Sequence, residues 1–284
     1  MTLGLKVLPR ADWIEIDSAF ADDLAEKQRL LASTPDTVFR MLPGSEPAQL
    51  EFIRHLGSHL LTHHRDRFSG TVDCLHVGPT GVEVRPDPAA PLRAAAALVQ
   101  EDVLLLQRGA EAFHLVAGML AFPTRWSLAE KMGQPLSAIH APVPGYDTHL
   151  ARPMDRLFDR LVPGRLLWRT NWSLLDDPAL HQPGGHGQGD AGAKLTPETI
   201  GTGLWFRVER QTLSLLPETA TAVFTVRIHQ ASLADQVKLP SQARDLLSAI
   251  REMPEPMRRY KSMPGFLPAL ESWLTARADG PARA

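Results

Sequence analysis

The fold of this chain is decided by one central stretch, Val103-Leu-Leu-Leu-Gln107, Arg108-Gly-Ala-Glu-Ala112 and Phe113-His-Leu-Val-Ala-Gly-Met-Leu-Ala-Phe122. The first run is short and apolar, which is typical of a buried strand. A glycine-containing turn follows it, and a second apolar run returns from the turn. The stretch therefore predicts a β-hairpin in the middle of the chain.

The chain after this hairpin changes character twice. Glycine and proline repeatedly interrupt residues 123–150, which predicts a broken helical segment, and a helix over 153–161 follows. Three further strands are predicted at 166–174, 204–213 and 220–229. Two strands, a helical segment and three strands is the order of a PAS domain. The predicted fold is therefore α+β, a PAS-like antiparallel five-stranded sheet with helices on one face, plus N- and C-terminal helical extensions.

The remaining sequence is predicted to pack around this core. Prolines concentrate between residues 78 and 92 and suggest a boundary there, and an apolar stripe at helical spacing predicts a helix that begins near Pro47. Glycine-rich residues 182–192 predict a mobile loop, and residues after Ala278 a disordered tail. The predicted division is 1–90 as an N-terminal helical extension packed on the core, 91–235 as the PAS-like domain, and 236–284 as C-terminal helices and a tail.

Composition excludes several classes of partner. The chain has 284 residues and a net charge of −2, which gives no electrostatic case for nucleic acid or an anionic membrane. Its one cysteine, Cys74, cannot form an intrachain disulfide or a four-cysteine iron–sulfur site. No apolar run approaches the roughly 20 residues of a membrane span, and the N-terminus lacks a secretion-signal pattern. We expect a cytoplasmic protein.

Three histidines recur at helical spacing in the helix that begins near Pro47. His55, His59 and His63 are four residues apart, a spacing at which histidines can chelate a metal. Relative to the apolar stripe of that helix, however, His55 lies nearly opposite, His59 on the flank and His63 towards the edge, and no carboxylate pair completes a site. We expect His55 and His59 to be exposed and His63 to lie at the boundary, with a metal site as the less favoured alternative.

Polar and proline positions are concentrated in a few segments that an apolar core does not require. These are Phe122-Pro-Thr-Arg-Trp126, Lys131-Met-Gly133, Ile139-His-Ala-Pro-Val-Pro-Gly-Tyr146, Arg169-Thr-Asn-Trp172 and Arg207-Val-Glu-Arg-Gln-Thr212. Together they resemble the haem (alpha) subunits of haem-dependent oxidative N-demethylases. The resemblance covers roughly residues 10–235, and it implies that the 91–235 domain binds haem.

The resemblance implies that His140 is the axial ligand of the haem iron. The alternative is a helix-ending histidine whose ring bonds a backbone carbonyl, and His149 is the second candidate ligand. No Cys-x-x-Cys-His motif occurs, so the expected cofactor is non-covalent haem b. Arg125, with Lys131 on the other side of Trp126, could bind the haem propionates, although surface charge is the plainer interpretation of each.

The same resemblance places catalytic residues on two strands. Arg169 and Asn171 share one face of a strand, and Arg207, Glu209 and Gln211 share one face of the next, because side chains alternate. Glu209 would bind the amine substrate, and Arg169, Asn171 or Arg207 would donate hydrogen bonds to dioxygen. A solvated face with cross-strand ion pairs is the alternative. The sequence leaves open which face is internal.

The resemblance further implies a monooxygenase-type oxidoreductase that acts on a small secondary amine, with dimethylamine as the family's best-known substrate, and that releases formaldehyde. Electrons would come from a reductase subunit carrying FMN and a 2Fe-2S centre, and tetrahydrofolate would bind on a partner subunit. This chain has no nucleotide-binding fingerprint, which suits such a division. Two other functions stay open: a non-catalytic haem-PAS gas- or ligand-binding protein, and a PAS-like scaffold that binds an organic ligand without metal.

Overall fold

A computed structural model describes residues 4–185, 187 and 190–280. Part of the predicted mobile loop (His186, Gln188, Gly189) and the end of the predicted tail (281–284) therefore lie outside the described residues. The strands are β1 (Lys6–Val7), β2 (Phe39–Met41), β3 (Phe68–Thr71), β4 (Cys74–Val77), β5 (Val82–Val84), β6 (Asp102–Arg108), β7 (Phe113–Met119), β8 (Leu167–Leu175), β9 (Trp205–Leu215) and β10 (Ala222–Ser232). The helices are α1 (Phe20–Ser33), α2 (Pro35–Val38), α3 (Glu46–His63), α4 (Leu128–Lys131), α5 (Leu136–His140), α6 (Ala151–Asp159), α7 (Ile200–Gly203), α8 (Leu233–Gln236), α9 (Pro240–Glu252), α10 (Glu255–Tyr260) and α11 (Leu267–Ala278).

The predicted hairpin is confirmed as β6 and β7, which pair antiparallel around a turn closed by the bond from Gly109 N to Ala112 O. The three later strands are confirmed as β8, β9 and β10. Over the described residues the main sheet has seven strands, in the order β1-β8-β9-β10-β6-β7-β2, and all neighbouring pairs are antiparallel. The sheet is thus wider than the five predicted strands, because β1 and β2 of the N-terminal region add to its two edges.

Both faces of this sheet are covered. Val103 and Leu105 of β6 pack into a core with α1, α3 and the 3-10 segment Pro91–Ala97. Leu104 and Leu106, which point to the opposite face, pack with residues of α5 and α6. A third core joins the C-terminal helices α9 and α11 to the end of β8. The chain is therefore α+β, and the division at residues 90 and 235 stays a prediction.

Helix α3 continues through Gly57 without interruption. Gly57 faces a second, smaller sheet. This sheet has the order β3-β4-β5, which the sequence did not predict. A Cβ at Gly57 would lie 3.3 Å from Leu75 Cδ1 and 3.4 Å from the backbone of Val72. Glycine therefore lets the small sheet pack closely on α3. No helix in the described ranges is long and apolar enough to cross a membrane.

The prediction that His59 is exposed was wrong, and so was a boundary position for His63, which is exposed. His59 is only 8% exposed, because Trp13 packs edge-on against its ring at 5.2 Å between centroids. Burial, together with the nearby charges of His63, His64 and Arg10, lowers the pKa of His59 from 6.5 to about 3. His59 is therefore neutral in the folded protein at ordinary pH.

This shift predicts acid lability that the variant His59→Gln should reduce. In the unfolded chain His59 takes up a proton below its ordinary pKa of 6.5, whereas the folded form resists protonation down to about 3. The free energy of unfolding therefore falls as the pH drops below 6.5, by at most about 3 kcal/mol at about pH 4.5 from this residue. Urea unfolding at pH 6.5 and at about pH 4.5 should show a smaller loss of unfolding free energy in His59→Gln than in wild type. His149→Gln, an exposed control, should behave as wild type, and equal losses in all three proteins would contradict the assignment.

Candidate functional site

A cavity of about 1120 Å³ lies on the sheet face that carries Leu104 and Leu106, slightly above the roughly 300–1,000 Å³ of ordinary ligand pockets. Its wall on the other side is the segment from Phe122 to α6, and the C-terminal end of α10 closes one side. Its floor is apolar, with Leu115, Leu213, Met154 and Phe158. The two sides of the cavity thus come from the predicted sheet and the predicted helical segment.

His140 lines this cavity at the end of the short helix α5. The helix begins after Pro135 and ends at His140, two residues before Pro142, which cannot continue it. His140 Nδ1 lies 2.9 Å from Leu136 O, and because a carbonyl only accepts, Nδ1 carries the proton. The neutral ring therefore keeps its lone pair on Nε2, which bonds to no residue that the structure describes.

The ring of His140 is further fixed by Tyr146, which stacks on it at 4.9 Å and 9°. Tyr146 opens a π-helical turn that runs to Leu150. Gly145 before it adopts a left-handed φ of 73°, which glycine allows without strain. Burial lowers the pKa of His140, the hydrogen bond to Leu136 O raises it, and the charges of Arg169 and Lys131 lower it, with a net lowering that favours the neutral imidazole.

The second candidate ligand, His149, lies on the exposed side of the same π-helical turn and does not line the cavity. Of the two predicted histidines, the structure therefore brings only His140 to the cavity.

The polar side chains of one face of β8 and β9 line the cavity, and Trp168, Thr170 and Trp172 of the other β8 face also contribute to its lining. Arg169 lies opposite Gln211 and Asn171 opposite Glu209 in the register of the two strands, and all four line the cavity. Arg210, which has the other parity on β9, projects to the opposite side, where it donates to the carbonyl of Trp13 at 3.0 Å.

Glu209 is the centre of a hydrogen-bond network in this wall. Its Oε1 accepts from Thr124 Oγ1 at 2.6 Å, and its Oε2 accepts from Gln211 Nε2 at 2.8 Å and from Asn171 Nδ2 at 3.3 Å. Gln211 Oε1 in turn accepts from Arg169 Nε at 2.7 Å. The carboxylate is therefore held in one orientation by donors from three segments of the chain.

Lys261, just after α10, brings a further cation to this network. Its Nζ donates to Trp172 O at 2.6 Å and lies 3.4 Å from Asn171 Oδ1. Burial lowers the pKa of Lys261, whereas the charge of Glu209 raises it. The neighbouring Tyr260 has its pKa raised to about 12, first by burial and then by the charge of Glu209. The charge of Glu209 thus acts on both Arg169 and Lys261 and raises the pKa of each against the effect of burial.

Arg207 shares the strand face of Glu209, but its guanidinium does not line the cavity. The side chain is fully buried and donates to the carbonyls of Phe122 (2.8 Å) and Leu180 (3.0 Å). Its Nε donates to Thr124 Oγ1 at 3.1 Å, and that hydroxyl donates to Glu209. Burial lowers the pKa of Arg207 to about 10. Through these hydrogen bonds, Arg207 holds the loop that carries Thr124 in place.

Arg125 is buried, so its interpretation as surface charge was wrong. Its guanidinium pairs with Asp176, and its Nε lies 3.4 Å from Gln182 Oε1. The backbone at residue 125 adopts a left-handed φ of 57°. Nη1 has no hydrogen-bond partner in the described ranges. Trp126 and Lys131 are half-buried, and both line the cavity beside Arg125.

Several residues that line the cavity were not predicted as site residues from the sequence. Gln211 was recognised as sharing a face with Glu209 but was not chosen as a site residue, although the period of two carried the signal. Thr124 lies inside a segment that was singled out. Tyr146 likewise ends a segment that the sequence indicated, whereas Tyr260 and Lys261 have no local signal, because only the tertiary fold brings them to the cavity.

Comparison with known families gives one match that spans most of the chain. The family model described as "Haem-dependent oxidative N-demethylase, alpha subunit-like" matches residues 4–270. The match includes both walls of the cavity and the C-terminal residues Tyr260 and Lys261.

Proposed function

The chain belongs to the haem-dependent oxidative N-demethylase, alpha subunit-like family, and on this premise we propose that it is a haem-dependent oxygenase subunit that demethylates a small secondary amine. The family description indicates a haem-dependent oxidoreductase that works with other subunits. The finer proposal is a monooxygenase-type reaction in the cytoplasm on a dimethylamine-like substrate. The observation that supports this proposal most directly is His140, which lines a large cavity and whose Nδ1–H is bonded to Leu136 O, so that Nε2 is available to bind a metal.

The residues present fit haem b. His140 offers a nitrogen ligand whose other N–H is fixed by a backbone carbonyl, which is the usual arrangement of metal-binding histidines. The apolar floor suits the porphyrin ring, and the cavity is large enough for one. Arg125, with its unpartnered Nη1, and Lys131 flank Trp126 and are the proposed propionate partners.

When bound, haem supplies the oxygen activation, and the chain supplies orientation and electrostatics. We assign to Glu209 the binding of the protonated amine, whose N–H would donate to a carboxylate oxygen. Arg169 and Asn171 are the proposed donors towards dioxygen. Arg207 acts through Thr124 as a positioning residue for Glu209. The apolar floor excludes water from the reacting methyl group.

The proposed reaction consumes one dioxygen, two electrons and two protons for each N-methyl group. One oxygen atom enters the methyl C–H bond, and the other leaves as water. The resulting N-hydroxymethyl amine breaks its C–N bond to give formaldehyde and the demethylated amine. The electrons must come from outside this chain, so we propose reductase subunits that carry FMN and a 2Fe-2S centre, with tetrahydrofolate also on a partner.

We further propose that β6 to β10 form a PAS-like core. These five strands are contiguous in the sheet, and the helical segment between β7 and β8 covers the cavity face, as the PAS-like arrangement requires. The strands β1 and β2 would then be additions at the two edges. Fold likeness alone does not give the activity, which rests on the site.

The test is reconstitution of the full chain with haemin, followed by chemical reduction in air with dimethylamine and detection of formaldehyde and methylamine. A Soret band together with formaldehyde that depends on both haem and amine is the expected result. A Soret band without formaldehyde, even with a flavin and iron–sulfur reductase added, would favour a gas- or ligand-binding protein. Absence of a Soret band would contradict the proposal altogether.

A further inference from the structure

The small sheet carries a cluster of metal-ligating side chains that lies apart from the cavity. Cys74, His76 and Glu83 each offer a ligand atom, and these atoms all lie within 4.8 Å of one another. In the part of the chain that the structure describes, this is the one group of three or more histidine, cysteine or carboxylate side chains that converges in this way. None of the three lines the cavity.

The strand geometry brings the three side chains together. Cys74 and His76 are two residues apart on β4 and therefore project from the same face. Glu83 of β5 lies directly opposite His76, and its Oε2 is 3.6 Å from His76 Nδ1. The cluster is thus set by strand register and does not depend on a loop.

The opposite face of the same strands holds this arrangement rigid. Leu75, Val77 and Val84 point inward and are buried in the core shared with α3. Gly70 of β3 packs closely against β4, since a Cβ at this position would clash with the carbonyl oxygen of Cys74 and would lie 3.2 Å from the ring of His76. The outer face is therefore presented on a fixed backbone, which favours a preorganised site.

We propose that Cys74, His76 and Glu83 form a zinc site with a fourth position open to water. Thiolate, imidazole and carboxylate are the ligand types that zinc takes in proteins, and three protein ligands are typical of an open site. On binding, the thiol proton of Cys74 is released to solvent as the zinc–sulfur bond forms. The site is independent of the haem proposal.

A neighbouring arginine supports one of the ligands. Arg85 Nε donates to Glu83 Oε1 at 2.7 Å, which leaves Oε2 on the side of His76. Ligating carboxylates commonly keep such an outer hydrogen bond. A surface ion pair that binds no metal is the alternative, and it predicts no uptake of zinc.

The test uses the full chain, stripped with a chelator and titrated with zinc against a competing dye, and separately with cobalt. We expect one zinc per chain and a thiolate-to-cobalt charge-transfer band that Cys74→Ser abolishes. His76→Ala and Glu83→Gln should weaken zinc binding at least about 10-fold, since the loss of even an outer partner costs that much. All three residues are half-buried or exposed, so these variants should fold.

Two control variants distinguish zinc binding at this cluster from zinc binding elsewhere on the chain. Asp73→Asn removes an acidic group next to Cys74 that is not in the cluster, and it should bind zinc as wild type does. His140→Ala, which removes the proposed haem ligand, should also leave zinc binding unchanged. Zinc affinity that Cys74→Ser does not alter, or the absence of binding by wild type, would overturn the site without bearing on the haem proposal.

Discussion

Replacing His140 by alanine should abolish the Soret band of the haem-reconstituted protein. His140 is the one histidine of the described chain that lines the main cavity, and its Nδ1–H is already committed to Leu136 O. If His140 is the proposed axial ligand, its removal would leave the iron without a protein nitrogen ligand. Because changes to residues that merely orient a metal ligand cost about 10–100-fold in affinity, loss of the ligand should weaken haem binding by more than about 100-fold. Haemin titration followed by absorption measures this directly.

The matched control is His149→Ala. His149 is nine residues further along, exposed and outside the cavity wall, so its replacement should leave both the position and the height of the Soret band unchanged. Added imidazole, which is small enough to enter the cavity left by the side chain, should restore a band in His140→Ala. A Soret band that survives in His140→Ala and disappears in His149→Ala would show that His149, and not His140, is the haem ligand.

The central strands were predictable because each is long enough to show a pattern. Strands β8, β9 and β10 have nine to eleven residues each, and β6 and β7 have seven. The edge strands β1 and β2 have two and three residues, too few for any period. They form because neighbouring strands offer unpaired backbone groups, and that is a tertiary cause.

The site was only partly predictable, and the misses have the same origin. The period of two placed Arg207 and Glu209 on one face of the strand, but it does not say which of the two side chains reaches the cavity. The guanidinium of Arg207 turns away from the cavity because the carbonyls near residues 122 and 180 need its donors. His59 was predicted to be exposed, yet Trp13, distant in sequence, packs against its ring and buries it. Local pattern gives direction, whereas burial depends on what covers the residue.

The variant Glu209→Gln should retain haem but lose most of the demethylation. The exchange keeps the size of the side chain and removes its charge, so the cavity wall should keep its shape. A protonated amine that enters a water-poor cavity loses its hydration, and a charged carboxylate with a direct hydrogen bond is what compensates. We expect kcat/KM to fall by about 100-fold, equivalent to about 2.7 kcal/mol.

The measurement is formaldehyde release against amine concentration, with the Soret band as the check on haem content. Glu198→Gln, an exposed carboxylate away from the cavity, is the control and should leave kcat/KM unchanged. Undiminished turnover in Glu209→Gln would contradict amine binding by this residue. In that case its role would be to hold Asn171 and Gln211, and the loss should instead appear when those donors are changed. Because His140→Ala should remove haem and Glu209→Gln should spare it, the two variants together would separate cofactor binding from substrate binding in one cavity.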